Sequence, residues 1–157
     1  MLEVPSGDDW VAVAGETLPL CEVLEFVRHP SCGAVTLFVG TVRDHAPGRP
    51  GVTLVEYEAW PEQVLVRIAE IVGSARARWS GRGRVAILHR TGPLEVGEAS
   101  VVVAVSSAHR AESLGAARWC IDTLKETVPI WKHEVWDGGE DWGVDAHPIS
   151  DVGAGSP

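Results

Sequence analysis

Two lysines in the C-terminal half are the residues best suited to chemistry. The 157-residue sequence has 13 lysines and arginines, and only Lys125 and Lys132 are lysines. Burial or a cationic neighbour can bring the pKa of an amine into the range where it exchanges protons, whereas a guanidinium stays charged. If the fold brings them together, they predict general acid–base or covalent catalysis. The alternatives are a compositional arginine bias and two lysines that extend into solvent.

A second candidate site is the segment SSAHR, residues Ser106–Arg110, where a predicted strand ends and a predicted helix begins. The free N–H groups and the dipole of a helix N-terminus attract an anion, and His109 and Arg110 add donors suited to phosphate. Ser106 or Ser107 could instead simply cap the helix. Capping is compatible with an anion site, so both interpretations stay open.

Arg43 and His45 form another cationic pair, just after the first long predicted strand. Asp44 lies between them, so an ordinary salt bridge within a loop is the alternative. The residues that follow, DHAPGRPG, are rich in Pro and Gly and predict a mobile loop over 44–51.

Composition and motifs exclude several function classes. The net charge of −9 disfavours nonspecific nucleic-acid binding, and no Ser/His/Asp triad, HExxH, P-loop, GxGxxG or metal-ligand spacing is present, so we expect neither metal nor cofactor. The apolar runs are far shorter than the ~20 residues of a membrane helix, and the N-terminus does not resemble a signal peptide. Three cysteines without CxxC spacing indicate a reducing compartment, and we expect a cytoplasmic protein.

Hydrophobic periodicity predicts an α+β domain over residues 1–149, followed by a disordered tail over 150–157. The helices should cover one face of a mixed, mostly antiparallel sheet. Helices are expected at Leu18–Arg28, Pro61–Trp79 and His109–Thr127. Strands are expected at Trp10–Ala14, Gly33–Arg43, Thr53–Trp60, Arg84–Arg90, Ser100–Ser107 and Ile130–Trp136. The segment TGPLEVGE should join the fourth and fifth strands as a tight hairpin connection.

These elements determine where the lysines lie. Helical spacing places Lys125 half-desolvated at the border of an apolar sector formed by Arg110, Leu114, Ala117, Ile121, Leu124 and Val128. Lys132 lies on the next strand, and a turn at Val128–Pro129 could fold it back beside Lys125. Two neighbouring amines would each lower the pKa of the other. Seven tryptophans are many for this length, and some are expected at a subunit interface or ligand pocket: Trp60, Trp119, Trp131, Trp136 and Trp142.

Several motifs resemble those of the MoaE family, the large catalytic subunits of molybdopterin synthase. They are GTVRDH at 40–45, LVEYEAW at 54–60, HRTGPLEVGE at 89–98, SAHR at 107–110 and DTLKETVPIWKHE at 122–134. They occur in the family's order and spacing, and the resemblance covers about residues 9 to 147.

The resemblance implies an α/β hammerhead-type subunit that forms a homodimer and binds one small ubiquitin-like sulfur carrier per protomer. The thiocarboxylate on the carrier's Gly-Gly tail would supply sulfur to cyclic pyranopterin monophosphate, forming the dithiolene of molybdopterin. By motif, Lys125 and Lys132 match the family's active-site lysines. Arg43, His109 and Arg110 match its substrate-binding and phosphate-binding positions.

The chain departs from the family pattern at two places. Ser113-Leu114 stands where members commonly have Ala-Phe, and His147 is the nearest equivalent of an arginine that in some members reaches the partner's site. Two other functions are compatible with the lysines: a noncatalytic module that binds a carrier-protein tail or a small anion, and a lyase that forms a Schiff base on Lys125.

Overall fold

The computed structural model describes residues 1–81 and 83–142. His147 and the predicted tail over 150–157 lie outside the described residues. The helices are α1 (Leu20–Val27), α2 (Pro61–Arg78) and α3 (Arg110–Thr127). The strands are β1 (Asp9–Ala14), β2 (Ala34–Thr41), β3 (His45–Ala46), β4 (Arg49–Pro50), β5 (Leu54–Ala59), β6 (Val85–Arg90), β7 (Gly92–Glu95), β8 (Ala99–Ser107), β9 (Ile130–Trp136) and β10 (Gly139–Trp142). No helix in this part of the chain has the length and apolar character needed to cross a bilayer.

The strands form two four-stranded sheets and a small hairpin. The first sheet has the order β1-β6-β8-β2, and the second has the order β10-β9-β5-β7. Only β1 and β6 pair in parallel among these strands; every other pairing is antiparallel. The prediction of an α+β protein with mixed, mostly antiparallel strands is therefore confirmed.

The first sheet is buried on both faces. The helix predicted over Pro61–Trp79 is confirmed as α2, and its Val64, Ile68, Ile71 and Ala75 form an apolar stripe that is buried against this sheet together with residues of α3. The short helix α1 covers the opposite face, so the expectation that all helices lie on one face is corrected. The physical reason is that β6 and β8 are apolar on both sides, and a strand of that kind must be covered twice.

Two segments predicted as irregular contain strands. Although β6 and β8 pair as expected, their connection is not a tight turn, because β7 leaves the first sheet and pairs with β5 in the second. Residues 44–51 contain the hairpin β3–β4 instead of a plain loop. Gly48 and Gly51 adopt φ of 72° and 65° there, which glycine reaches without strain. The strand β10 was not anticipated.

The buried face of α3 is rotated relative to the predicted sector. Leu114 is 58% exposed, whereas Ser113 is fully buried. The Ser113 hydroxyl donates a hydrogen bond of 2.9 Å to the carbonyl of Val105, so this polar group can be buried without losing its partner.

Candidate functional site

Lys132 lies at the centre of the second sheet, in a row of residues that crosses three strands. Its direct partner on β5 is Tyr57, and the partner of Tyr57 on β7 is Gly92. Directly opposite residues of antiparallel strands project to the same face, so the three share one face. Gly92 has φ of 83°, and a Cβ added there would meet no atom within 4 Å. Space is therefore open beside Tyr57.

His89 links this row to the first sheet. It is a buried residue of β6, and its ring contacts the Tyr57 ring edge-on with centroids 5.3 Å apart. Its Nδ1 lies 2.8 Å from the carbonyl oxygen of Arg90, so Nδ1 carries a hydrogen and donates it. Burial lowers the pKa of His89 to about 4; the Arg90 carbonyl opposes this change, and the positive charge of Lys125 adds to it. The imidazole is therefore neutral at neutral pH.

Lys125 lies in the last turn of α3, and its charge acts on the His89 ring. Lys132 pairs with Tyr57, which contacts His89, so both lysines are linked to His89. That the two lysines form one site stays a prediction. Lys125 is exposed, whereas the side chain of Lys132 is 24% exposed.

An acidic residue outside the sequence-predicted set faces Lys132. The Glu134 carboxylate is buried on the same strand, with Oε1 3.1 Å from Lys132 Nζ. Its other oxygen, Oε2, lies 2.8 Å from Nη1 of Arg49, which the β3–β4 hairpin supplies. Strand alternation in the sequence places Glu134 on the same face as Lys132. The contact with Arg49 could not be predicted, because the short hairpin that carries Arg49 shows no periodicity in the sequence.

The candidate phosphate site lies at the start of α3. His109 occupies the N-cap position with extended backbone and no side-chain capping bond, and both His109 and Arg110 are exposed. The serine-capping interpretation is wrong, because Ser106 Oγ instead accepts a hydrogen bond of 2.9 Å from the backbone N–H of Arg84. The helix N-terminus therefore keeps donors that an anion can reach.

Within one chain the phosphate-binding candidates and the lysines are far apart. Arg110 and Lys125 stand near opposite ends of α3, and their separation in sequence corresponds to about 22 Å along the helix axis. Arg43 is exposed and follows Val42, whose N–H donates to the carbonyl of Glu98 just before β8. His109 and Arg110 follow the other end of β8, so that strand separates them from Arg43.

The remaining sequence candidates have simpler surroundings. His45 Nδ1 pairs with Asp44 at 2.6 Å, which is the loop salt bridge considered as the alternative. Trp60 is 63% exposed and contacts Trp131 edge-on at 6.0 Å between ring centroids. Within residues 1–81 and 83–142, no group of three or more His, Cys, Asp or Glu is arranged to hold a metal ion.

Comparison with known proteins identifies the family. The sequence profile described as "MoaE protein" matches residues 13–127. A relative from Halalkalibacterium halodurans is 40% identical over 146 residues, which cover 93% of this chain and 92% of the relative. A relative from Mycobacterium tuberculosis is 45% identical over 127 residues, which cover 81% of this chain and 85% of the relative. They are named molybdopterin synthase catalytic subunit and molybdopterin synthase catalytic subunit 1.

Solved structures give the same result. The crystal structure of molybdopterin synthase from Staphylococcus aureus superposes with a TM-score of 0.78 at 34% identity, covering 83% of this chain and 94% of that one. A complex of subunits 1 and 2 of the molybdopterin-converting factor from Helicobacter pylori shares the fold, with a TM-score of 0.71 at 18% identity, covering 91% and 95%. The sequence profile, the relatives and the fold agree, and the chain belongs to the MoaE family.

Proposed function

We propose that this protein is the catalytic subunit of a molybdopterin synthase, a sulfurtransferase. It transfers sulfur from the C-terminal thiocarboxylate of a small ubiquitin-like carrier to cyclic pyranopterin monophosphate, forming the molybdopterin dithiolene. The observation that carries the proposal is that Lys132 pairs with Tyr57, Tyr57 contacts His89, and the charge of Lys125 acts on His89. The names of the relatives support the same reaction.

The lysines have distinct tasks in this proposal. Replacing oxygen by sulfur on the pterin side chain requires a proton for the departing oxygen and a positive charge beside the anionic adduct. Lys125 is exposed and so can reach a substrate, and we assign it the proton transfer. Lys132 is partly buried beside Glu134, and we assign it electrostatic stabilisation and the holding of the carrier's carboxyl end.

The substrate phosphate binds His109 and Arg110 at the start of α3, and Arg43 closes over the substrate. Because Arg110 and Lys125 lie about 22 Å apart along one helix, a small substrate cannot contact both in one chain. The complete site therefore takes its phosphate-binding helix end from a second copy in a two-fold symmetric homodimer.

The carrier binds one per protomer, giving a heterotetramer, with its Gly-Gly tail directed to the lysines. The fold is shared with a Helicobacter pylori protein solved as a complex of two subunits, which supports a small partner subunit. The open space beside Gly92 suits a glycine tail, whose backbone can approach closely. We place the protein in the cytoplasm, since its cysteines, Cys21, Cys32 and Cys120, are all free thiols.

Reconstitution tests the proposed function. The purified protein is mixed with thiocarboxylated carrier and cyclic pyranopterin monophosphate, and dithiolene product is measured. Product that depends on all three components is expected. Carrier binding without product would show a noncatalytic module, and borohydride trapping of a carbonyl substrate on Lys125 would show a lyase.

Assembly has its own test. Light scattering should give a dimer, and the intact carrier should bind more tightly than a carrier that lacks its last two glycines. A monomer at micromolar concentration, or equal binding of both carriers, would contradict the proposed assembly.

A further inference from the structure

A buried ion pair beside the site has no role in the function proposed above. The side chains of Arg49 and Glu134 are 10% and 6% exposed, and their charged atoms are 2.8 Å apart. Removing two charges from water is costly, and the attraction between them offsets that cost only when the geometry is good and the remaining polar atoms are bonded. The Arg49 guanidinium therefore holds the Glu134 carboxylate in place, and any further group that this carboxylate binds is positioned with it.

The carboxylate of Glu134 holds a second cation. Its Oε2 accepts from Arg49 while its Oε1 lies 3.1 Å from Lys132 Nζ, so each oxygen faces a different positive charge. If the guanidinium were absent, the carboxylate would be free to turn and its whole negative charge would act on the ammonium. The orientation of the Lys132 amine therefore depends on Arg49 through the carboxylate that both cations share.

Arg49 is itself held firmly by the second sheet. Its Nη2 donates a hydrogen bond of 3.1 Å to the carbonyl of Trp142 and lies 3.5 Å from Asp141 Oδ2. The guanidinium carbon lies 4.6 Å from the centroid of the Trp136 ring. The planar fork of arginine can make all these contacts at once, which the single ammonium of a lysine cannot.

We propose that Arg49 is a positioning residue for Lys132 and acts through Glu134. The hairpin β3–β4 thereby sets the geometry of the amine as well as covering the second sheet. The expected effect of Arg49 on turnover rests on the proposed function. The expected effect of Arg49 on the position of the Lys132 amine does not. The competing possibility is that Arg49 only anchors the hairpin and leaves the amine unaffected.

The first experiment observes the amine directly. Because the chain has only two lysines, NMR spectra of protein labelled with ¹³C-lysine contain one side-chain set from Lys125 and one from Lys132. In Arg49→Met, the Lys132 signals should move while those of Lys125 stay. Arg28→Met is the matched control, since it removes an exposed ion pair with Glu25 and should move neither set.

An unchanged Lys132 signal in folded Arg49→Met would overturn the proposal. Circular dichroism melting shows whether the variant folds. If it does not fold, Arg49→Lys is measured instead, because it keeps the charge but loses the fork. Its spectrum gains a third side-chain set, from the introduced lysine, and the Lys132 signals should again move. This experiment needs no turnover, so its result stands even if the proposed reaction proves wrong.

The second experiment is a double-mutant cycle on turnover with Arg49→Met, Glu134→Gln and the double variant. Arg49→Met should lower kcat by roughly 10-fold to 100-fold, as expected for a displaced catalytic group. In the Glu134→Gln background, Arg49→Met should lower kcat little further, because the carboxylate through which Arg49 acts on Lys132 has already been removed. Additive effects on kcat would overturn the proposal.

Discussion

Tyr57 stands directly opposite Lys132 in the antiparallel pairing of β5 with β9. Its ring also contacts His89 of the first sheet, and the charge of Lys125 acts on His89. Tyr57 and His89 thus join the two sheets beside Lys132, and the candidate site lies where the two sheets meet.

The division of the site between two protomers predicts complementation between inactive variants. Arg110→Ala should weaken pterin binding far more than carrier binding, since it removes a phosphate donor. When Arg110→Ala and Lys125→Ala chains form mixed dimers, one of the two sites in each dimer regains both residues. Product formation should return in the mixture. A mixture as inactive as its components would contradict a shared site, and calorimetric titration checks the binding of each variant.

His89 predicts a specific dependence of stability on pH. Its pKa is about 4 in the folded protein and about 6.5 in an unfolded chain. Between these values the unfolded state binds more protons, so the free energy of unfolding falls as the pH falls from 6.5 to 4, by on the order of 3 kcal/mol. In His89→Gln this part of the decrease should be missing. Urea unfolding of the parent protein and of His89→Gln across this pH range measures the decrease. If the free energy of unfolding depends on pH in the same way in both proteins, the His89 ring is not held neutral.

The proximity of Lys125 to His89 can be tested without any substrate. Lys125→Met removes a positive charge that lowers the pKa of His89, so that pKa should rise in this variant. Lys125→Arg keeps the positive charge, so the pKa of His89 should stay close to its value in the parent protein. NMR titration of the His89 ring gives its pKa in the parent and in each variant. An unchanged pKa in Lys125→Met would show that Lys125 does not lie close to His89.

Hydrophobic periodicity was sufficient to predict the long elements. The stripe of α2 follows from burial of the helix on one side, which the sequence records directly. The hairpin β3–β4 has two residues in each strand, too few to show a period. The rotation of α3 could not be foreseen either, because Ser113 is buried through a hydrogen bond to a carbonyl on a neighbouring strand.

The candidate site residues were chosen from the sequence, and their roles stay a prediction. Lys125 and Lys132 were chosen because lysine is rare in this chain and can exchange protons, and a turn between α3 and β9 lies between them. The contacts that organise them depend on pairing between strands far apart in sequence. Tyr57 faces Lys132 only through one register of β5 on β9, and His89 reaches Tyr57 across two sheets.

The central claim is that Lys125 transfers a proton during sulfur transfer, and reconstituted product formation by Lys125→Arg tests it most directly. Arginine keeps the positive charge but cannot give up its proton, so charge and proton transfer are separated. We expect Lys125→Arg and Lys125→Ala both to bind the carrier and the pterin yet form dithiolene at least about 100-fold more slowly than the parent. Turnover by Lys125→Arg close to that of the parent would contradict the claim.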